Sequence, residues 1–299
     1  MVSEALPLVA RRDLQTPAGP LALLEADGGA DAPAVLVPGY TGSKEDFALI
    51  LAALAATGRR VVAMDQRGQF ESPGPDDPAA YTVEALAADV RAVAADLAGP
   101  HGWPVHLLGH SFGGLVTRGA VLADPSAVAS LTLLDSGPAA ISGERRTRME
   151  ALRPLLAEGG MAAVYEQLEL LAAGDGDTGA PQRPPELVAF LRRRFLASSP
   201  VGLQGMGDAL GGEPDRVEAL RETGVPVLVA YGAGDDSWSP AVQSDMAARL
   251  GARHAVIPDA AHSPAVENPA ATIGILRGFW AATDPPGPAP AGTPVGGVS

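Results

Sequence analysis

The sequence predicts an α/β fold: a mostly parallel sheet flanked by helices and interrupted by an inserted helical segment. Three observations carry this expectation. Short apolar runs alternate with longer apolar-periodic stretches from about residue 34 to residue 134, the rhythm of βαβ units. That rhythm stops at Ser136, and residues 137–224 hold helical patterns without a convincing apolar strand. It resumes at Pro226-Val227-Leu228-Val229-Ala230-Tyr231.

The elements follow in order. Leu8 to Gln15 and Leu21 to Glu25 read as extended segments on either side of a Pro-Ala-Gly-Pro turn. Ala34-Val35-Leu36-Val37-Pro38-Gly39 reads as a buried strand. Ser43 can cap the helix that follows, with Glu45 and Asp46 in its acidic first turn. Strands are expected at Arg60–Met64, Pro104–Leu108 and Ala129–Leu134, with helices over Thr82–Leu97 and from the end of the Pro104–Leu108 strand to Ala123. Within the insertion, helical patterns cover Glu144–Glu158, Met161–Ala173, Pro185–Ala197 and Pro214–Thr223, while Gly174–Pro185 reads as a loop. A helix over Pro240–Leu250 and a strand over Arg253–Ile257 follow, and Asn268-Pro269 opens the last helix. Residues 284–299 are rich in Pro, Gly and Ala without periodicity and are expected to be disordered. The expected domains are therefore a core in two parts, 1–136 and 225–283, a helical cap at 137–224, and a tail at 284–299.

Composition narrows the function. The chain has 299 residues, enough for one large domain with an insertion. Its formal net charge of −14 repels phosphate backbones and anionic lipid, which argues against nucleic-acid or membrane partners. There is no cysteine, which excludes disulfides, thiolate metal sites and a cysteine nucleophile. The first residues carry no apolar run of signal-peptide type, and no run approaches the ~18 residues that span a bilayer. The expectation is a soluble cytoplasmic protein acting on a small molecule. Neither a phosphate loop, a dinucleotide glycine pattern nor a His/carboxylate metal pattern is present, so no cofactor and no metal is implied.

The chemistry concentrates in Gly109-His110-Ser111-Phe112-Gly113, a G-x-S-x-G sequence lying between an apolar strand and a helix. A serine on so tight a turn is held exposed above the sheet, and the turn admits only small neighbours. On these residues the sequence resembles the α/β-hydrolase family, over about residues 8–282. The resemblance implies an eight-stranded, mostly parallel sheet, often with a helical cap at the position of residues 137–224. It also implies a triad in the chain order Ser, Asp/Glu, His, with Ser111 as nucleophile.

That order requires a histidine after the last strand. Of His101, His106, His110, His254 and His262, only His262 lies there, in a Pro258–Pro264 loop that is similar to the family's histidine loop, as is the following Glu267-Asn268-Pro269. The acid should follow the strand ending at Tyr231. Counting forward from Gly232 selects Asp235, and counting back from Pro240 selects Asp236. Asp235 is preferred because a strand fixes position better than a loop. Asp135, at the end of the preceding strand, is a third candidate and reads as structural. Serine needs a base at neutral pH, the imidazole supplies it, and the aspartate orients the ring. The tetrahedral oxyanion needs fixed N–H donors. One is expected from Phe112; the resemblance implies that the other comes from Tyr40, although the family's usual His-Gly is Pro38-Gly39 here. Asp65-Gln66-Arg67-Gly68-Gln69 is similar to the family's Asp-x-Arg-Gly turn, with Arg67 tying loops together.

The resulting expectation is hydrolysis of a carboxylic ester or related acyl bond through an acyl-serine. The alternatives are a cofactor-free haloperoxidase, perhydrolase or acyltransferase activity on the same site, or a non-catalytic ligand-binding protein.

Overall fold

The computed structural model describes residues 6–99, 102–174 and 184–286. Eight strands form one sheet: β1 (Val9–Thr16), β2 (Gly19–Asp27), β3 (Asp31–Val37), β4 (Arg59–Met64), β5 (Val105–His110), β6 (Val128–Leu134), β7 (Val227–Gly232) and β8 (Arg253–Ile257). Their spatial order is β1-β2-β4-β3-β5-β6-β7-β8. The β1–β2 and β2–β4 pairs are antiparallel, and every pair from β4 to β8 is parallel. The fold class is the one the sequence predicts.

Alternation along the central strands feeds two apolar layers. Val35, Val62 and Leu107 face a layer built with α2 (Val83–Ala98) and α3 (Phe112–Ala123). Ala34, Leu36, Val61 and Leu108 face the opposite layer, built with α1 (Ala48–Ala55) and the last helix (Pro269–Thr283). Both faces are covered, so these strands are apolar without interruption, as parallel strands between helix layers must be. Thr82 caps α2 by accepting a hydrogen bond from Ala85 N–H at 3.2 Å.

Among the described residues, everything between β6 and β7 is helix or loop. α4 (Gly143–Gly174) is interrupted at Gly160, whose φ of 65° and ψ of −162° separate two helical arms. α5 (Pro185–Ala197), α6 (Pro200–Gly212) and α7 (Val217–Glu222) follow. α6 is absent from the sequence expectation, because Gly202, Gly205, Gly207, Gly211 and Gly212 dilute its helical signal. The structure supplies the reason for two of them. A Cβ on Gly205 would stand 2.8 Å from Tyr81 Cβ, and one on Gly207 would stand 2.8 Å from Tyr40 Oη. Ser199 caps this helix and Pro200 opens it.

After β7 come α8 (Pro240–Leu250), the short α9 (Pro264–Glu267) and α10 (Pro269–Thr283). Asp284, just past α10, makes a two-pronged ion pair with Arg59 of β4 at 3.0 Å on each prong and accepts from His106 Nε2 of β5 at 2.9 Å. The expected disordered tail thus begins with a residue that is tied down, and residues 287–299 lie outside the described residues.

Candidate active site

The site forms at the carboxyl ends of β3, β5 and β7 and in the loop after β8. Ser111 follows β5 directly, at φ 54° and ψ −122°, a strained backbone for a residue with a Cβ. Its neighbours explain the glycines. A Cβ on Gly109 would meet Gly113 O at 2.2 Å, and one on Gly113 would meet Val37 O at 2.4 Å. The turn is therefore pressed between the start of its own helix and β3. Ser111 N–H donates to Leu134 O at 2.9 Å, which locks the turn to β6.

The structure brings three of the predicted side chains together. His262 Nε2 lies 3.0 Å from Ser111 Oγ, and His262 Nδ1 lies 2.8 Å from Asp235 Oδ1. With Nδ1–H donating to the carboxylate, Nε2 is free to accept the serine proton. Asp235 is buried, and its second oxygen accepts from Gln243 Nε2 at 2.7 Å, while Ser237 N–H reaches Oδ1 at 2.9 Å. Burial pushes this carboxyl's pKa up, but the His262, Ser237 and Gln243 hydrogen bonds outweigh it, and the net shift is down. Asp236 is directed elsewhere, into an exposed ion pair with Arg145. His254 stacks on Tyr231 in β8, away from the serine.

The expected oxyanion donors are also close. Phe112 is the first residue of α3, so its N–H has no acceptor inside the helix. The loop after β3 abuts the serine, with the Cβ position of Gly39 only 3.5 Å from Ser111 Oγ. Three successive carbonyls of that loop are held from the β4 side. Gln66 Nε2 donates to Pro38 O at 3.0 Å, and Gln69 Nε2 donates to Gly39 O at 2.7 Å and to Tyr40 O at 3.1 Å. In a trans peptide the N–H points opposite to its C=O. Fixing Gly39 O against Gln69 therefore turns the Tyr40 N–H away from Gln69. Tyr40 is anchored further by its hydroxyl, which donates to Leu203 O of α6 at 2.8 Å.

Three positions were missed as site residues by the sequence reading. His110, treated only as part of the elbow, donates Nε2–H to His262 O at 2.6 Å and steadies the histidine loop. Loss of solvent around the ring, reinforced by the His262 ring, pulls its pKa down to about 3, so it stays neutral. Glu267 Oε2 accepts from Ala261 N–H at 2.7 Å and Ser263 N–H at 3.1 Å, bracketing His262 from both sides. Gln69 is the third. The Asp-x-Arg-Gly resemblance covers its turn, where Arg67 ties the loop to α2 rather than to another loop, through two 2.6 Å bonds to Asp89 and one to Ala85 O, with a further bond to Ala80 O. No sequence signal marks the side chain of Gln69 as the one that reaches the Tyr40 loop.

A cavity of about 690 Å³ opens over Ser111 and His262. Met149, Leu152, Leu156, Val164, Phe195 and Leu203 from the helical insertion supply its apolar wall. Asp135, Asp235 and His262 each place one oxygen or ring nitrogen within 4.8 Å of the other two. The imidazole Nδ1 in that group is engaged by Asp235 and the Nε2 faces Ser111, so the arrangement suits proton transfer at the serine.

Comparison with known proteins agrees with this fold. A hydrolase of Variovorax paradoxus (strain S110), named as a carbamate hydrolase, is 41% identical over 113 residues, 38% of this chain and 41% of its own length. The match therefore spans well under half of that relative. A proline iminopeptidase of Lacticaseibacillus rhamnosus (strain Lc 705) is 26% identical over 274 residues, covering 85% of this chain and 92% of the relative. A solved structure from a study of carboxylesterases of Nitrososphaera gargenis superposes with a TM-score of 0.74 at 22% identity, over 91% of this chain and 98% of that one. The sequence profile described as "Alpha/beta hydrolase family" matches residues 34–275. With that profile spanning most of the chain, this protein belongs to the alpha/beta hydrolase family.

Proposed function

We propose that the protein is a serine hydrolase that cleaves a small carboxylic ester or related acyl bond through an acyl-serine intermediate. The single observation that carries this is the unbroken chain Ser111 Oγ, His262, Asp235, at 3.0 and 2.8 Å. Ser111 Oγ attacks the carbonyl carbon as His262 Nε2 takes its proton. The imidazolium then protonates the leaving group as the carbon–heteroatom bond breaks. Water attacks the acyl-serine with His262 again as base, releasing the acid and restoring the serine. The Phe112 and Tyr40 N–H groups would face the oxyanion. The apolar wall of the cavity suits an acyl or alkyl portion, beside a polar part of the lining that includes Arg145, Arg153 and Arg194. The names of the two relatives, carbamate hydrolase and iminopeptidase, also describe attack at a carbonyl carbon.

The test is labelling with a fluorophosphonate and peptide mapping, followed by a panel of esters. Wild type is expected to label at Ser111, and Ser111→Ala to lose both labelling and turnover. Asp235→Asn should lower kcat by about 10⁴-fold, the loss that the wrong imidazole tautomer causes in serine proteases, while Asp236→Asn should stay within about twofold. Equal losses in the two aspartate variants would remove Asp235 from the triad. Well-folded protein that neither labels nor turns over an ester would favour the ligand-binding alternative.

A further inference from the structure

Asp135 follows the end of β6 with no solvent exposure, at a φ of 46°, a left-handed conformation that aspartate tolerates better than most residues. One of its oxygens accepts Gly232 N–H at 2.9 Å, from the end of β7. The other, Oδ2, is buried and has no donor. An Asp135 carboxylate oxygen nevertheless lies within 4.8 Å of one on Asp235 and of a ring nitrogen of His262. Two acceptors are thus packed side by side in a dry place, where both carrying charge would be costly. Among the described residues, no Lys or Arg forms an ion pair with either carboxylate. The other titratable groups facing this corner do not relieve it. His110, from β5, is held neutral; Glu267, from α9, adds negative charge; and His262 is already committed to Asp235.

One proton resolves the arrangement. Placed on Asp135 Oδ2, it gives the orphaned oxygen a hydrogen to donate, with the Asp235 carboxylate as the neighbouring acceptor. Placed on Asp235, it would remove the charge that stabilises the imidazolium. We infer that Asp135 is a neutral carboxylic acid at physiological pH and a positioning residue of the site, its O–H donating to Asp235 and holding that carboxylate against His262. Burial first, and then the charge of Asp235, drive its pKa upward to about 9, which agrees with the geometry. Asp235 then has a donor on every side: His262, Ser237 N–H, Gln243 and Asp135.

The kinetic arm of the test rests on the hydrolase reading; the thermal arm does not. Asp135→Asn keeps size and donor but cannot ionise. Its kcat/KM at pH 7 is expected within about threefold of wild type, with the acid limb unmoved, because no charge has been removed. Wild type is expected to lose activity as pH rises past about 9, when the second carboxylate appears and repels Asp235, and Asp135→Asn is expected to lack that alkaline fall. Asp135→Ala should lose more than tenfold in kcat with little change in KM. An acid limb displaced to lower pH in Asp135→Asn, with the alkaline limb unchanged, would mean that Asp135 is ionised and would overturn the inference.

The thermal arm compares melting temperatures of wild type and Asp135→Asn from pH 5 to pH 9. The native state keeps the proton across this range while the unfolded chain has released it, so wild type should lose ground to the variant steadily as pH rises. A gap that does not change with pH overturns the inference whether or not any substrate has been found. If Asp135→Asn does not fold, a protonated-carboxyl infrared band in wild type, persisting at pH 7 and titrating near pH 9, supports it, and the absence of such a band overturns it.

Discussion

Much of the proposed chemistry rests on groups that hold other groups. Gln69 contacts neither Ser111 nor His262, yet its amide holds the Gly39 and Tyr40 carbonyls at 2.7 and 3.1 Å and so sets the direction of the Tyr40 N–H. Removing an oxyanion donor outright costs about 10²–10³ in kcat elsewhere. Releasing the loop that carries one should cost less, because the N–H remains and only its orientation is lost. Gln69→Leu is therefore expected to lower kcat by about 10- to 100-fold while KM changes little, since the donor acts mainly on the transition state. An equal rise in KM with kcat unchanged would place Gln69 in ground-state binding instead. The same scale shows what the sequence could convey. Ser111 and His262 were readable because a tight turn needs glycines at fixed offsets and because a chain with five histidines offers one in the right place. Asp235 and Asp236 were harder to separate, because a loop one residue longer than usual leaves the count ambiguous. In the structure Asp235 lies on the imidazole and Asp236 on Arg145. Gln69, His110 and Glu267 act through bonds to distant backbone, and a partner that far along the chain leaves no trace in local spacing.

At the scale of elements, the alternation of strands and helices was legible because each central strand is apolar on both faces and helices such as α2, α8 and α10 open on a capping side chain. β3, β4 and β5 separate their odd and even residues between two layers, so their apolar runs stand out. α6 was lost for the opposite reason, since tertiary packing chose glycine where propensity would choose alanine. This contrast is testable. Gly205→Ala gains helix propensity of up to ~1 kcal/mol, but its Cβ would stand 2.8 Å from Tyr81 Cβ and 3.0 Å from Pro78 O. Neither neighbour can withdraw easily, as Tyr81 is fully buried and the other is backbone. A net loss of about 1–3 kcal/mol is expected, with α6 pushed away from the Pro78–Tyr81 turn. Gly274→Ala in α10 meets nothing within 4 Å and should stabilise by up to ~1 kcal/mol. Chemical denaturation of the two variants checks both signs, and a Gly205→Ala protein as stable as Gly274→Ala would remove the packing explanation.

For the whole molecule, two histidines on β5, one buried and one half-buried, couple stability to acidity. His106 is fully buried, accepts from Ser130 Oγ–H at 2.8 Å through Nδ1, and donates through Nε2 to Asp284 at 2.9 Å. It stacks on Trp280, over which Arg59 also lies, so it joins the sheet to the end of α10. Burial pulls its pKa down to about 4 despite the pull of Asp284, and burial holds His110 at about 3. Both rings are neutral in the native state and ordinary in the unfolded chain, so the unfolded chain takes up protons first as pH falls below about 6.5. The contribution of the two rings is therefore undiminished above that pH and falls as pH drops toward 4, by on the order of 3 kcal/mol for each ring. Asp135 works in the other direction over the same range, because its native carboxyl keeps the proton that the unfolded chain releases. The histidine contribution is isolated by comparison with a variant that cannot titrate. His106→Gln with His110→Gln is expected to be less stable than wild type at pH 7.5, where lost ring packing dominates, yet to lose stability less steeply between pH 6.5 and pH 4. Parallel melting-temperature profiles for the two proteins would mean that acid sensitivity arises elsewhere. A flattened profile would show that the strand leading into Ser111 also limits the fold's tolerance of acid.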